Sequence, residues 1–289
     1  MPFKSILALS LDSNTNESTL KCAATVARRF GAHITVTHIK GLSQVTVPCG
    51  FEMQSGLLSE DLLREIEATE EERETQARAA FDDFIRREDL VIRTKPEHRD
   101  EVSASWDVIE GNATNSVALQ GSGYDLIVIT RPPNGAVSPS RIMIESILFS
   151  TGRPVLIAPL DPPQTLGDTV LIGWNHGTPA TRAFHAAKAL FLDEAKKIRL
   201  VSMTTGAKLR PSAEAIAANL AWNGISAEIR EFAPDSQSCG EVILAEASAM
   251  GADLLVMGAY SHSRIREIFH GGATKYVIAN ATLPVFMAH

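Results

Sequence analysis

Long apolar runs are missing from this sequence: none approaches the ~20 residues needed to span a bilayer. The first residues read as a poor signal peptide, because the apolar run after Lys4 stops at Leu11, before Asp12. Cysteine is scarce. Cys22, Cys49 and Cys239 are far apart and odd in number, with no CxxC and no metal-type spacing. They read as reduced thiols of a cytoplasmic protein rather than a disulfide framework. The eight histidines form no HExxH or similar metal motif. A P-loop, GxxxxGK[ST], is absent. Gly121-Ser122-Gly123 precedes a strand instead of following one, so it is not a dinucleotide fingerprint. Basic excess is absent too: the net charge is −7. That argues against non-specific binding to nucleic acid or to an anionic membrane.

The sequence does contain enough for about two domains in its 289 residues, with 45% apolar and 21% charged residues, as in soluble globular chains. The two halves repeat. Asp125-Leu126-Ile127-Val128-Ile129-Thr130 matches Asp253-Leu254-Leu255-Val256-Met257-Gly258. Pro154-Val155-Leu156-Ile157-Ala158 matches Pro284-Val285-Phe286-Met287-Ala288, and Ile6–Leu9 matches Val170–Gly173. Leu160-Asp161-Pro162-Pro163-Gln164 is a stiff joint between them. The boundaries read as a first domain over 1–160, a linker over 161–166 and a second domain over 167–289. The first domain carries an insertion, a loop and an acidic helix, over 41–88.

Periodicity predicts strands at Ile6–Ser10, His33–Ile39, Val102–Ile109, Leu126–Ile129 and Val155–Ala158 in the first half. Helices fall between them, including a charged one from about Glu60 to Arg87 whose core side holds Ala77, Phe81, Phe84 and Ile85. The second half predicts strands at Val170–Trp174, Ile198–Met203, Ile225–Phe232, Leu254–Met257 and a closing strand at Leu283–Met287. Thr178 is the expected N-cap ahead of Pro179. Ser212 is expected to cap a helix ended by Gly224, and Ser238-Cys239-Gly240-Glu241 reads as a capping box. Alternating strands and helices imply α/β units with doubly wound parallel sheets. The closing strands of the two halves are apolar, and are expected to lie at one interface between the halves.

The organising stretch runs from Gly258 to Thr274. A short buried strand ends at Gly258, and Ala259-Tyr260-Ser261 follow. Nine residues, 262–270, lead to Gly271-Gly272-Ala273-Thr274, where a helix begins. Glycine turns permit close backbone approach, and helix-start N–H groups favour an anion. This stretch resembles the universal stress protein family. Nucleotide-binding members of that family carry Gly, two residues, Gly, nine residues, Gly and then Ser or Thr. Here the spacing is kept, but Ser261 stands at the second Gly position and Gly272 at the Ser/Thr position.

The resemblance implies two tandem five-stranded sheets of order 3-2-1-4-5, of the adenine nucleotide alpha hydrolase type, packed as an intramolecular pseudo-dimer that could pair again as a homodimer. It implies an adenine nucleotide, ATP or a relative and with Mg where a metal accompanies it, held by Asn175, Gly258, Ser261, His262, Gly271, Gly272, Ala273 and Thr274. Asn175 occupies the place of a ribose-contacting Asp. It either supplies a carbonyl acceptor to a hydroxyl or only shapes the turn. His262, Arg264 and Arg266 either meet a phosphate or are solvated loop residues. The first-half counterpart reads as degenerate: Thr130 stands for Gly258, Arg141 for Gly271, and Pro132 and Pro133 remove backbone donors. No catalytic residue is nominated. Ser261 and His262 are sequence neighbours whose side chains diverge, with no orienting acid. The implied function is a stress-response regulatory protein binding an adenine nucleotide in its second domain. The alternatives are an interaction scaffold without nucleotide, or a weak nucleotide hydrolase.

Overall fold

The computed structural model describes residues 3–11, 16–40, 60–97, 100–110, 113–132, 139–203, 212–232, 238–260 and 272–289. The first half runs β1 (Ser5–Ser10), α1 (Asn16–Phe30), β2 (His33–Ile39), α2 (Glu60–Glu88), β3 (Val91–Ile92), β4 (Ser103–Ile109), α3 (Ala113–Gly121), β5 (Leu126–Thr130), α4 (Pro139–Ser150) and β6 (Val155–Ala158). The second half runs β7 (Thr169–Trp174), α5 (Thr178–Ala187), β8 (Lys197–Met203), α6 (Ala213–Trp222), β9 (Glu228–Phe232), α7 (Cys239–Met250), β10 (Leu254–Gly258), α8 (Ala273–Asn280) and β11 (Val285–Ala288). The fold is α/β, with a mostly parallel sheet.

The strands form one sheet of order β3-β4-β2-β1-β5-β6-β11-β10-β7-β8-β9. With the two-residue edge strand β3 set aside, each half contributes its strands in the order third, second, first, fourth, fifth, as β4-β2-β1-β5-β6 and β9-β8-β7-β10-β11. The two expected five-stranded units are joined: β6 and β11 pair antiparallel, with Leu156 opposite Phe286. All other strand pairs are parallel. The central strands β5, β6, β10 and β11 are buried along their whole length, which explains their unbroken apolar sequence. Helices cover both faces, so apolar side chains divide into one cluster beneath α1, α2 and α5 and another beneath α4, α7 and α8.

One device fixes the fourth strand of each half to the first. The Asp125 carboxylate accepts from the N–H groups of Lys4 (2.9 Å) and Ser5 (3.0 Å) and from the Ser5 hydroxyl (3.0 Å). The Asp253 carboxylate accepts from the N–H groups of Gly167 (3.1 Å), Asp168 (3.1 Å) and Thr169 (2.8 Å). Those N–H groups precede or open a strand and have no ladder partner of their own, so a carboxylate satisfies them.

Local chemistry differs from expectation in four places. Gly177, not Thr178, is the N-cap of α5, and Pro179 lies in the first turn. The third strand of the second half starts at Glu228, three residues after Ile225. A two-residue strand, β3, adds itself to the outer edge of β4. Its length is too short for periodicity to reveal. Finally, α5 continues into a π-helical turn at Lys188–Leu192, which buries Leu190, Phe191 and Leu192. The widened turn seats the Phe191 ring edge-on to Phe286, 5.7 Å between centroids. The Ser238 capping box and the Ser212 cap are formed. Gly251 ends α7 at φ +64°, a left-handed cap that glycine takes without a Cβ clash.

The halves also meet through side chains. Arg131, after β5, donates to the Ala279 carbonyl near the end of α8 at 2.6 Å. Arg29 donates to the Leu190 carbonyl at 3.0 Å and lies over the Phe191 ring. Phe149 packs between Tyr260 and His289, with centroid distances of 5.0 and 4.6 Å.

Candidate functional site

In open α/β sheets, ligands sit beyond the carboxyl ends of the strands, where strand order reverses. In the second half that point lies between β7 and β10, which are neighbours with Met257 opposite Gly173. Three chain segments converge there: the turn from β7 to α5, the exit from β10, and the start of α8.

Gly258 ends β10. A Cβ on it would lie 2.3 Å from the Ala180 nitrogen and 2.7 Å from the Pro179 carbonyl carbon. No side chain fits, so glycine is what lets the first turn of α5 rest on the strand. The chain then passes through Ala259, whose N–H reaches the Ala288 carbonyl at 2.9 Å, to Tyr260. Tyr260 has φ +52°, a left-handed conformation that costs a non-glycine residue about 1 kcal/mol or more. In that conformation its N–H donates to the buried Thr274 hydroxyl at 3.2 Å. Its phenol donates to Glu145 of α4 at 3.0 Å. One residue therefore joins the exit of β10, the start of α8 and the first half.

Helix α8 starts at Gly272, whose side-chain-less N-cap makes no side-chain capping bond. Ala273 and Thr274 form its first turn. The hydroxyl of Thr274 accepts from Tyr260 and keeps its own O–H to donate, so Thr274 can offer an anion both that O–H and its backbone N–H.

Asn175 is exposed, and its side-chain carbonyl accepts from the Gly177 N–H at 3.1 Å. The turn-shaping role is thus occupied, and one lone-pair direction of that oxygen stays open. Next to it, His176 has φ +60°. Its Nε2 lies 3.3 Å from the Ser202 hydroxyl at the end of β8, and its ring stands edge-on to Trp174. Residues 261–271 lie outside the described residues, so Ser261, His262 and Gly271, with Arg264 and Arg266, have no structural account here.

The structure thus brings Gly258, Gly272, Ala273 and Thr274 into one neighbourhood through Tyr260. Sequence reasoning passed over Tyr260, His176 and Ser202. A signal was present for His176: Asn-His-Gly after a buried strand is turn chemistry, and His tolerates the left-handed region better than most residues. Tyr260 had none, because its left-handed backbone depends on the distant Thr274.

The first-half counterpart is built differently. Thr130 replaces Gly258, is buried, and hydrogen-bonds through its hydroxyl to Thr19 of α1. Arg131, the next residue, is buried, and that burial lowers its pKa from the usual arginine range. A small cleft lined by Lys4, His33, Arg93, Glu97 and Ser103 lies at the opposite, amino ends of the strands. Its groups are engaged with one another: Arg93 pairs with Glu97 and Glu101, and His33 lies within hydrogen-bond reach of Ser103 and Ser105.

Among the described residues, no group of three or more His, Cys, Asp or Glu side chains could hold a metal ion. No helix among them is long and apolar enough to cross a membrane. Burial pushes the Cys22 thiol up to about 12, which keeps it protonated and unreactive.

Comparison with known proteins places this architecture. Among curated protein sequences none matches the chain. Among solved structures, a universal stress protein from Archaeoglobus fulgidus aligns over 98% of this chain and 97% of its own, at 15% identity and a TM-score of 0.62. A protein from Pseudomonas aeruginosa UCBPP-PA14, described as a universal stress protein, aligns over 98% and 92%, at 16% identity and a TM-score of 0.55. A functionally unknown protein from Pseudomonas aeruginosa PAO1 aligns over the same shares, at 17% identity and a TM-score of 0.54. These likenesses are of fold. Residues 168–289 also match the model of the universal stress protein family.

Proposed function

We propose that the chain is a cytoplasmic stress-response regulatory protein of two domains, 1–160 and 167–289 joined by 161–166, whose second domain binds an adenine nucleotide. The observation that carries this reading is the amino end of α8. It lacks a side-chain cap, begins at a glycine, and stands beside the carboxyl end of β10 at the reversal of strand order. Phosphate favours such an end, where N–H groups and helix dipole point outward. Gly271, Gly272 and Ala273 would meet the phosphates, Ser261 and His262 would flank them, and Gly258 keeps the strand end low. Asn175, through its open lone pair, and His176 would face the ribose or base. ATP is the first ligand to test, with and without Mg.

The test is calorimetric titration of ATP, ADP and AMP into wild type, Gly271→Val, and the double variant Ser261→Gly/Gly272→Ser. Loss of two or three charge-assisted hydrogen bonds, at roughly 1.5–3 kcal/mol each, should weaken binding to Gly271→Val by more than about a hundredfold. The double variant should bind more tightly than wild type. Equal affinity of wild type and Gly271→Val would refute the phosphate assignment.

One observation favours a second reading, an interaction scaffold without nucleotide. Gly258 is required by its contact with α5, and the Asn175 carbonyl is used by Gly177. Both have structural employment without a ligand. Failure of wild type and double variant alike to bind any of the three nucleotides selects that reading.

A further inference from the structure

His38 is the last but one residue of β2, on the face covered by α2. It is 2% exposed, and neither ring nitrogen has a hydrogen-bond partner. Buried imidazoles without partners are costly, and each such group calls for an explanation. His33, on the same strand, shows the ordinary solution, with a serine hydroxyl within reach of each ring nitrogen. Opposite His38 in register is Ser10, buried with its hydroxyl also unpartnered. Asn16 and Ser18, at the start of α1, bury unpartnered oxygens as well. The carboxyl end of β1–β2 therefore gathers buried polar groups that no protein group satisfies.

What covers His38 is held unevenly along its length. Helix α2 grips the sheet through Ala77, Phe81, Phe84 and Ile85, all buried. Between 64 and 76, no residue whose burial is described is buried. That stretch is held by polar contacts: Arg73 to the Leu11 carbonyl (3.2 Å), Glu74 to Lys40 (2.5 Å) and Glu70 to Arg73 (3.4 Å). Segments with few buried apolar contacts open at low free-energy cost. Trp106 of β4 stacks on His38 at 6.0 Å and 11°, and packs on Phe81 at 5.4 Å. The imidazole is thus seated at the boundary between the gripped and ungripped parts of the helix.

We propose that the amino-terminal part of α2, through Gln76, is an acid-released strap: protonation of His38 lifts it from the carboxyl ends of β1 and β2, while Ala77–Ile85 stay packed. The charged groups bearing on the ring are Glu70, Arg73 and Glu74 of α2. Lys40 follows on its own strand and is paired with Glu74 and Glu110. On the packed elements beyond these, Arg78 lies over Trp106, and Glu17 of α1 is paired with Arg87. Burial, the largest influence, lowers the histidine's pKa; Glu74 and Glu70 raise it and Arg73 lowers it. The Ser10 carbonyl also favours the charged form, but the packed ring makes no hydrogen bond. An imidazolium there needs hydrogen-bond partners on both ring nitrogens, and lifting the strap opens the ring to water. Entry would also satisfy Ser10.

The sign follows from linkage. The packed form holds His38 neutral below the ordinary value of 6.5, and the lifted form titrates near that value. The strap's stability is therefore full above pH 6.5, and is lost as pH falls below it. One proton favours opening by at most about tenfold at one pH unit below 6.5.

Amide hydrogen exchange of the full chain at pH 7.5, 6.5 and 5.5, corrected for intrinsic rates, tests this. Amides of 64–76 should lose up to about tenfold in protection between pH 7.5 and 5.5, while those of 77–88 hold theirs. The His38→Leu variant should abolish the pH step, and His33→Asn should keep it. Protection of 64–76 that is flat with pH in wild type overturns the proposal, as does a step that persists in His38→Leu. Should His38→Leu fail to fold, NMR titration of the wild-type His38 Cε1 proton decides. A midpoint below 6.5, shared with the exchange step, supports the strap; a midpoint at or above 6.5 overturns it.

Discussion

The two halves share strand order and the aspartate clamp, and they part company where the fourth strand ends. In the first half β5 ends in Thr130, which holds α1 by a hydroxyl pair with Thr19. In the second, β10 ends in Gly258, and α5 lies directly on the backbone. The following residues diverge as well. Arg131 is spent on the last helix of the other half, whereas Tyr260 is turned into a left-handed conformation that carries the chain toward α8. Contacts at the amino ends of the strands are thus repeated, and those at the carboxyl ends are not. A sheet needs its strands pinned in both halves, whereas the end of the fourth strand is met by a side chain in the first and by backbone in the second.

The largest effect should come from exchanging the two strand ends. Gly258→Thr places a Cβ about where the Ala180 nitrogen stands, so α5 must move. We expect a loss of about 3 kcal/mol or more, at the upper end for overpacked sites. Thr130→Gly removes a hydroxyl and a small volume, leaves Thr19 without this partner, and should cost about 1–2 kcal/mol. Urea unfolding of both variants measures the difference. Equal costs would mean that the halves close on their helices in the same way.

The next effect should be symmetric. Asp125→Ala and Asp253→Ala each strip a part-buried carboxylate from three donors. Each is expected to lower stability by about 2 kcal/mol, somewhat less than three charged hydrogen bonds would suggest because water reaches the freed N–H groups. Thermal or denaturant unfolding compares them. A clamp that matters in one half only would break the repeat where it looks most exact in sequence.

Much of this was legible in the chain itself. Alternation and short apolar runs placed the strands, and the repeated Asp-Leu-(Ile/Leu)-Val segment announced two copies of one unit. The junction of the halves through their closing strands also followed from apolar segments at the end of each half. The site was less legible, for physical reasons. Gly258 looked like a phosphate glycine, and its contact with Pro179 and Ala180 depends on a helix distant in sequence. Asn175 could be named, but whether its carbonyl would be taken by Gly177 depended on turn geometry. The N-cap passed from Thr178 to Gly177 because helix ends are set by backbone angles as much as by capping chemistry. His38 gave no signal, since a histidine in a strand is silent about its partners until β4 and α2 are laid over it.

The smallest effect concerns the seam, where the comparison is finest. Beside the Arg29 bond to the Leu190 carbonyl, a polar group crosses from each half near the strand ends: Arg131 to the Ala279 carbonyl, and Tyr260 to Glu145. Arg131 is buried, and its bond is 2.6 Å long. Replacing it with methionine keeps much of the volume but leaves the Ala279 carbonyl without this donor, at about 1–2 kcal/mol. Tyr260→Phe removes only the hydroxyl. Its acceptor, Glu145, has a side chain that is 33% exposed and lies 3.6 Å from Arg141, so water and Arg141 both remain to satisfy it. The ring stays against Phe149. The expected loss is therefore about 0.5–1 kcal/mol, and the left-handed backbone at Tyr260 should survive, because the Thr274 hydroxyl still accepts its N–H. Denaturant unfolding should rank Arg131→Met above Tyr260→Phe. If Tyr260→Phe costs as much or more, the phenol carries the seam, and the exit of β10 is anchored by the first half as firmly as by its own.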